Sequence, residues 1–467
     1  MKRIEVTNLA IHSSEGVIIN NLSLSVSENE SLTILGETGS GKSLLALAIL
    51  GNLPPMLTVS GSVKVDGKEM LEMPASEAAS LWGTTLVMLP QEPWRALSPL
   101  MKIKHQIAEV FRYVKRATPA TASEDTHQLL AKVGLEQHAP KVPAQLSGGM
   151  AQRTAIACSA ATGADIVLAD EPTKGLDTAR KDDIIALLKA RKAKGCLLTI
   201  THDVQVAKAL GGKTLVMQRG VVVESGDAEK ICSQPDSAYA RALINAAPEN
   251  WPHQEKQTNT FSPLISVKNL SLARGNQTLL EQVNFEIGAG EVVGLYGDSG
   301  SGKSSLADAL LGLLPVSGEI RFHQPLARHE KLKLYQDPPA AFSEEATLRT
   351  LLHDIIKLHK LNPPPLDKLA LELGLTPNLL DRTATEVSGG ELQRIALLRA
   401  MLLKPKFLVA DEPTSRLDPI TAEKVTRLLI AKAREMHCAL LFISHDVHQL
   451  NNVCDRVIAI SDLSHKA

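Results

Sequence analysis

The chain has 467 residues, 44% of them hydrophobic and 22% charged, which exceeds what one hydrophobic core usually serves and sets an expectation of two globular domains. Fifty Lys plus Arg against fifty-one Asp plus Glu gives a formal net charge of -1. That balance, with only 3% aromatic residues, argues against a nucleic-acid or base-stacking surface, so no nucleic-acid partner is expected. Cys158, Cys196, Cys232, Cys438 and Cys454 lack the short paired spacings of zinc or iron–sulfur sites, and a reducing compartment is expected. No secretory signal is expected from Met1-Lys2-Arg3-Ile4, and no apolar run approaches the roughly 20 residues that cross a bilayer.

Along the first half, Ser31-Leu32-Thr33-Ile34-Leu35 reads as a short buried strand. It feeds Gly36-Glu37-Thr38-Gly39-Ser40-Gly41-Lys42-Ser43, which opens an apolar-periodic helix. Glycines at these positions let backbone N–H groups cradle phosphate at a helix N-terminus, where the dipole also favours negative charge. Lys42 would neutralise β- and γ-phosphates, and Ser43 would ligate Mg²⁺. A glycine-rich turn before a core helix is the bland alternative, and the joint strand and helix context disfavours it.

Further on come Gln91, then Leu146-Ser147-Gly148-Gly149-Met150, then the apolar strand Ile166-Val167-Leu168 leading into Asp170-Glu171-Pro172-Thr173. A carboxylate ending such a strand can hold a hydrated Mg²⁺, the expected role of Asp170, and its neighbour Glu171 is placed to orient or deprotonate water. A lone Asp-Glu pair is usually a solvated loop. Thr201-His202-Asp203 follows another apolar strand, and the stretch from Ala247 to Pro263, with Pro248 and Pro252 among polar residues, reads as a linker. A flexible chain of that length spans about 20 to 25 Å.

The second half then repeats the first in order, which sets the architecture. After the strand Glu291-Val292-Val293-Gly294-Leu295 come Gly297-Asp298-Ser299-Gly300-Ser301-Gly302-Lys303-Ser304, Gln336, Val387-Ser388-Gly389-Gly390-Glu391, Phe407-Leu408-Val409, Asp411-Glu412-Pro413-Thr414 and Ser444-His445-Asp446. Lys42 and Lys303 are 261 residues apart, whereas Ser147 and Ser388, like Glu171 and Glu412, are 241 apart. The second copy is therefore 20 residues shorter between its first two motifs. Strand, loop and helix alternating in this way imply an α/β fold with a mainly parallel sheet in each half.

These motifs together resemble the ATP-binding-cassette ATPases over nearly the whole chain. The resemblance implies two tandem P-loop NTPase domains, residues 1–246 with a C-terminal tail and residues 264–467, joined by residues 247–263, each with a helical signature-motif subdomain. It implies ATP and Mg²⁺ as ligands, with Ser43, Gln91 and Asp170 in one half and Ser304, Gln336 and Asp411 in the other facing the metal. Glu171 and Glu412 are the expected catalytic carboxylates, His202 and His445 the switch histidines, and Asp177 and Asp418 the D-loop residues. Lys174-Gly175 and Ser415-Arg416 depart from the usual small pair beside them.

In such proteins Ser147-Gly148-Gly149 of one half completes the site of Lys303, and Ser388-Gly389-Gly390 that of Lys42, so the two ATPase domains pair within one chain. Two hydrolytic sites are expected, since neither half lacks a catalytic residue. The aromatic residue that stacks on adenine is missing: Ser13 and Arg274 fall near its positions, and only Arg274 offers a planar face.

The run Pro90-Gln91-Glu92-Pro93-Trp94-Arg95-Ala96-Leu97-Ser98-Pro99, and the tail Cys232-Ser233-Gln234-Pro235-Asp236-Ser237-Ala238-Tyr239-Ala240-Arg241-Ala242-Leu243, resemble the oligopeptide, dipeptide and nickel importer subfamily. Gln336-Asp337-Pro338-Pro339 is a weaker second copy, and no such tail is expected before Ala467. The resemblance implies two transmembrane permease subunits and an extracytoplasmic solute-binding protein as partners, with the chain peripheral on the cytoplasmic membrane face. Two alternatives are weighed. A soluble twin-cassette factor acting on ribosomes carries a long charged helical linker, and a sugar importer's fused ATPase usually has one degraded site; neither feature is present here.

Overall fold

The computed structural model describes residues 2–463 except 15, 38, 175, 177, 193–194, 255, 257–260, 275–276, 299, 337–340 and 416. The chain forms two compact units, Met1–Asn245 and Ala246–Ala467. Each is built on a central sheet whose inner strands are buried on both faces. Ser31–Leu35, Ile166–Asp170 and Cys196–Thr201 in the first unit, and Phe407–Asp411 and Ala439–Ile443 in the second, are buried at every position. Strands covered on both sides carry continuous apolar runs rather than alternation.

In the first unit the central sheet runs Val221–Asp227, Lys213–Gln218, Ser31–Leu35, Cys196–Thr201, Ile166–Asp170, Leu86–Leu89. Only the Val221–Asp227 edge is antiparallel. A second, antiparallel sheet of Gly16–Ser27, Lys2–Ser13, Thr58–Val65 and Lys68–Glu69 shares one apolar core with the helix Lys42–Ile49 and one face of the central sheet. The opposite face carries a separate cluster around Leu89, Val167, Ile184, Leu188 and Leu197. A further helical core gathers Ile103, Ile107, Leu130, Leu135, Ala151 and Ala157 around the helix Gly148–Thr162.

The second unit repeats this plan in reduced form. Its central sheet, ordered Lys331–Leu334, Phe407–Asp411, Ala439–Ile443, Val292–Tyr296, Arg456–Ala459, is parallel throughout. The antiparallel sheet here consists of Gln277–Gly288, Pro263–Arg274 and Ser317–Phe322 among the described residues. Both antiparallel sheets bend at the same place. The register slips between Val6 and Leu9 and again between Val267 and Leu270, where Asn8 and Asn269 take positive φ values of 49° and 48°. Asparagine tolerates that left-handed region better than branched residues do.

The stretch expected as a free linker begins differently. Trp251 is only 3% exposed within the apolar core of the second unit, its indole N–H donating to the Ala246 carbonyl at 2.8 Å and its ring lying beneath the Arg427 guanidinium. Asn452 donates to the Pro248 carbonyl at 2.7 Å, and the Gln254 N–H donates back to the Asn452 carbonyl at 2.8 Å. Residues 246–254 are therefore an integral flap of the second unit: a large indole gains more from burial than the Pro-rich polar context suggests.

Trp251→Ala in the full chain is expected to destabilise the second unit by about 3–5 kcal/mol, the usual cost of emptying a buried tryptophan site. Calorimetry checks it: the transition of the second unit should fall while that of the first stays in place.

Candidate functional site

In both units the phosphate-type loop follows the end of a buried strand and enters a helix through a glycine in the left-handed region. Gly41 has φ 94° and Gly302 φ 100°, and each caps its helix, Lys42–Ile49 or Lys303–Leu310. A side chain at Gly41 would also strike Ile19 Cγ1 at 2.9 Å, so glycine is required on two counts. Lys42 and Lys303 are each only 6% exposed. Lys42 Nζ donates to the carbonyls of Gly36 at 2.8 Å and Glu37 at 2.6 Å, and Lys303 Nζ to those of Gly297 at 2.6 Å and Asp298 at 2.9 Å. Each ammonium is thus buried in the concavity of its loop, where an anion would meet it. Ser40 Oγ donates to the Glu37 carbonyl at 2.9 Å, whereas the buried Ser301 hydroxyl has no partner among the described residues. Thr38 and Ser299 lie outside the described residues.

Asp170 and Asp411 end the strands next to those loops, as their apolar runs predict. Burial raises the Asp170 pKa above the usual carboxylate value, a hydrogen bond from Ser43 working against it. Its Oδ1 is buried without a hydrogen-bond partner among the described residues. A stranded carboxylate oxygen beside a serine hydroxyl and a phosphate cradle suits a hydrated divalent cation held by one carboxylate and phosphate oxygens. No cluster of three or more metal-type side chains occurs among the described residues.

The adjacent glutamates are strained, Glu171 buried and Glu412 half-buried. Glu171 and Glu412 have φ of 47° and 46°, unusual for a non-glycine residue, and such strain gathers at functional positions. Burial pushes both carboxyls up, but the neighbouring histidine together with the nearby lysines outweighs it, and both pKa values lie below the ordinary value. The surroundings differ. Glu171 Oε1 sits 2.7 Å from His202 Nδ1, and Glu171 Oε2 accepts from the Thr201 hydroxyl at 3.2 Å. Glu412 Oε2 accepts from Gln336 Nε2 at 3.0 Å, with His445 Nδ1 farther away at 3.8 Å. Ser444, the counterpart of Thr201, donates instead to Gln449 Oε1. No such contact joins Gln91 to Glu171 among the described residues.

Ser147 and Ser388 cap the helices Gly148–Thr162 and Gly389–Leu403. Ser147 accepts from the Met150 N–H, while Ser388 forms a capping box with Glu391, its hydroxyl donating to the carboxylate at 2.7 Å. Asp418 caps Pro419–Glu435 by accepting from the Thr421 N–H at 3.0 Å; Asp177 lies outside the described residues.

Three partners escape sequence reasoning. Tyr239, in the tail helix Ala238–Asn245, accepts the Glu37 N–H of the first loop at 2.8 Å, a contact across 202 residues. Glu224 fixes that tail by accepting from the N–H groups of Asp236 and Ser237 at 2.8 Å each. In the second unit Lys333 Nζ lies 3.0 Å from Asp411 Oδ2 and 2.7 Å from Asp308 Oδ1. Burial lowers the Lys333 pKa, but its hydrogen bonds to Asp308 and Asp411 raise it by more. Lys333 in the strand Lys331-Leu332-Lys333-Leu334, where the matched strand of the first unit reads Leu86-Val87-Met88-Leu89, is the sequence signal for that last contact.

The ABC transporter family model matches residues 19–174 and 280–415. Among curated relatives, an uncharacterised ABC transporter ATP-binding protein YejF of Escherichia coli K12 is 32% identical, covering 95% of this chain and 90% of its own. The peptidoglycan transport ATP-binding protein YejF of Agrobacterium fabrum is 33% identical over 95% and 87%, and the glutathione import ATP-binding protein GsiA of E. coli K12 31% over 97% and 84%. Solved structures of an RNase-L inhibitor and of an archaeal ribosome recycling factor aABCE1 bound to a ribosomal stalk protein share the fold. Their TM-scores are 0.66 and 0.68 at 22% and 21% identity, over 96% of this chain and 87% of each of theirs. With two sequence-matched cassettes, each carrying its own buried loop lysine, this chain belongs to the ABC transporter family, as an ATP-hydrolysing subunit with two fused ATP-binding domains.

Proposed function

We propose that the chain powers import of a peptide-containing solute through two separate transmembrane permease subunits, working peripherally at the cytoplasmic membrane face with a solute-binding protein outside. The observation that carries this reading is the near full-length match to relatives named for peptidoglycan transport and glutathione import, both peptide-bearing molecules. Nickel or metal-chelate solutes belong to the same importer resemblance. Among the described residues no helix is long and apolar enough to cross a membrane, so spanning falls to partners. After Gln91, Trp94 and Leu100 stay 46% and 91% exposed, an apolar edge suited to a permease segment.

In this reading Lys42 and Lys303 exchange their loop carbonyls for β- and γ-phosphate oxygens, at helix N-termini that already favour anions. Ser43 with Asp170, and Ser304 with Asp411, are the residues that would hold Mg²⁺, which supplies charge neutralisation at the phosphates. Glu171 and Glu412, ionised because their histidines and the nearby lysines together outweigh burial, orient the attacking water and take up its proton. His202 and His445 hold those carboxylates and face the γ-phosphate. Gln91 and Gln336 report nucleotide state toward the permeases, and the Ser147 and Ser388 helix starts each complete the other domain's site, with Asp177 and Asp418 coupling the two. Hydrolysis then resets the closed pair.

Glu171→Gln and Glu412→Gln are each expected to lower ATPase activity, and together to abolish it by about 10²–10⁴-fold, the usual worth of a general base. Tagged chain carrying both changes, solubilised in detergent with ATP, should recover two permease subunits; recovery of ribosomes without permease contradicts the importer reading.

The pH dependence follows from the Glu171 environment. His202→Gln removes the principal influence that lowers the carboxyl while leaving burial, which raises it. Measured in the Glu412→Gln background, the residual activity of His202→Gln relative to its parent should therefore be lower at pH 6 than at pH 8, because protonation of the base now begins at higher pH.

A further inference from the structure

Behind the strand-end aspartates the two units differ at one matched pair of positions. Met88 pairs with Leu168 in the first central sheet and Lys333 with Val409 in the second, so both stand at the same register, two residues ahead of Asp170 and Asp411 respectively. Five residues beyond the loop lysine, Leu47 on one helix matches Asp308 on the other. In the first unit Leu47 and Met88 pack against one apolar core. In the second an ion pair occupies those two places.

That ion pair reaches the nucleotide side of the sheet. The Lys333 side chain is 8% exposed, and its ammonium lies 2.7 Å from Asp308 Oδ1 and 3.0 Å from Asp411 Oδ2, while the Ser304 hydroxyl donates to Asp411 Oδ1 at 3.0 Å. Both oxygens of Asp411 are therefore engaged, whereas Asp170 Oδ1 is buried with no hydrogen-bond partner among the described residues. Burying an ammonium requires a paired carboxylate, and Asp308 alone meets that need. The second contact places a fixed positive charge on the carboxylate that the reading above assigns to the metal. Two cations sharing one carboxylate repel each other, and neighbouring ammonium makes the carboxylate a weaker ligand.

We propose that Lys333 is a positioning residue of the second site, a resident counter-cation for Asp411, which makes that site bind divalent metal more weakly and hold nucleotide with less need of metal than the first. The inference rests on the assignment of Asp170 and Asp411 as carboxylates facing Mg²⁺. It makes the two sites unequal in metal demand although both keep their catalytic residues, so that falling Mg²⁺ empties the first site of metal last.

The test uses the full chain with one loop disabled, Lys42→Ala to leave the second site and Lys303→Ala to leave the first. Mn²⁺ is titrated by electron paramagnetic resonance in the presence of a non-hydrolysable ATP analogue, and analogue affinity is measured separately in EDTA. Mn²⁺ half-saturation is expected about tenfold higher at the second site than at the first. Adding Lys333→Met to Lys42→Ala should remove that difference and weaken metal-free analogue binding, and adding Met88→Lys to Lys303→Ala should raise the first site's half-saturation. Because Met88→Lys leaves the second unit untouched, it decides the matter if Lys333→Met fails to fold. Half-saturation that moves less than about twofold in the folded variants overturns the role of Lys333. If Mn²⁺ does not bind with nucleotide at either site, the metal assignment of the aspartates falls, and this inference with it.

Discussion

Everything at the two sites depends on delivering a buried ammonium to the end of a strand that has no solvent face. Lys42 and Lys303 are 6% exposed, and they can be charged there because loop carbonyls accept from them, against the positive end of the helix that begins at the same residue. The loop takes that shape only because Gly41 and Gly302 adopt φ near 94° and 100°. Buried strands one place removed from the loop strand in each sheet then bring Asp170 and Asp411, and the strained Glu171 and Glu412, to the same edge. Apolar burial of the parallel strands thus supplies a rigid floor, and the charges at its edge are tolerable because each faces another or awaits an anion and its metal.

The two cassettes share this framework and differ in what surrounds it. The first loop is braced by Tyr239 from the tail helix, Glu171 is held closely by His202 and Thr201, and its aspartate keeps one oxygen without a partner among the described residues. In the second, Gln336 takes the glutamate, Ser388 gives its hydroxyl to Glu391, and Lys333 occupies the aspartate. On the proposed reading, two sites so differently surrounded would work with unequal timing.

The parallel strands and their loops were legible because burial on both faces leaves unbroken apolar runs such as Phe407-Leu408-Val409, directly followed by the charged residues they present. The antiparallel sheets were not, since slips at Asn8 and Asn269 break the alternation that would reveal them. Trp251 lay hidden in a stretch whose prolines and polar residues read as linker, and only its tertiary partners Ala246, Asn452 and Arg427 make it core. Tyr239 and Lys333 were visible as residues but not as contacts: Tyr239 bonds a residue 202 positions away, and Lys333 meets Asp411 only through strand pairing.

The central claim is that one chain carries two working ATP sites. Counting ADP trapped per chain by vanadate after turnover, in the presence of the permease, tests it most directly. About two ADP per chain, falling to about one when either Lys42 or Lys303 is replaced by alanine, is the result this structure predicts. A single trapped ADP that survives one of those replacements and is lost with the other would contradict it, leaving one hydrolytic site and one that only binds.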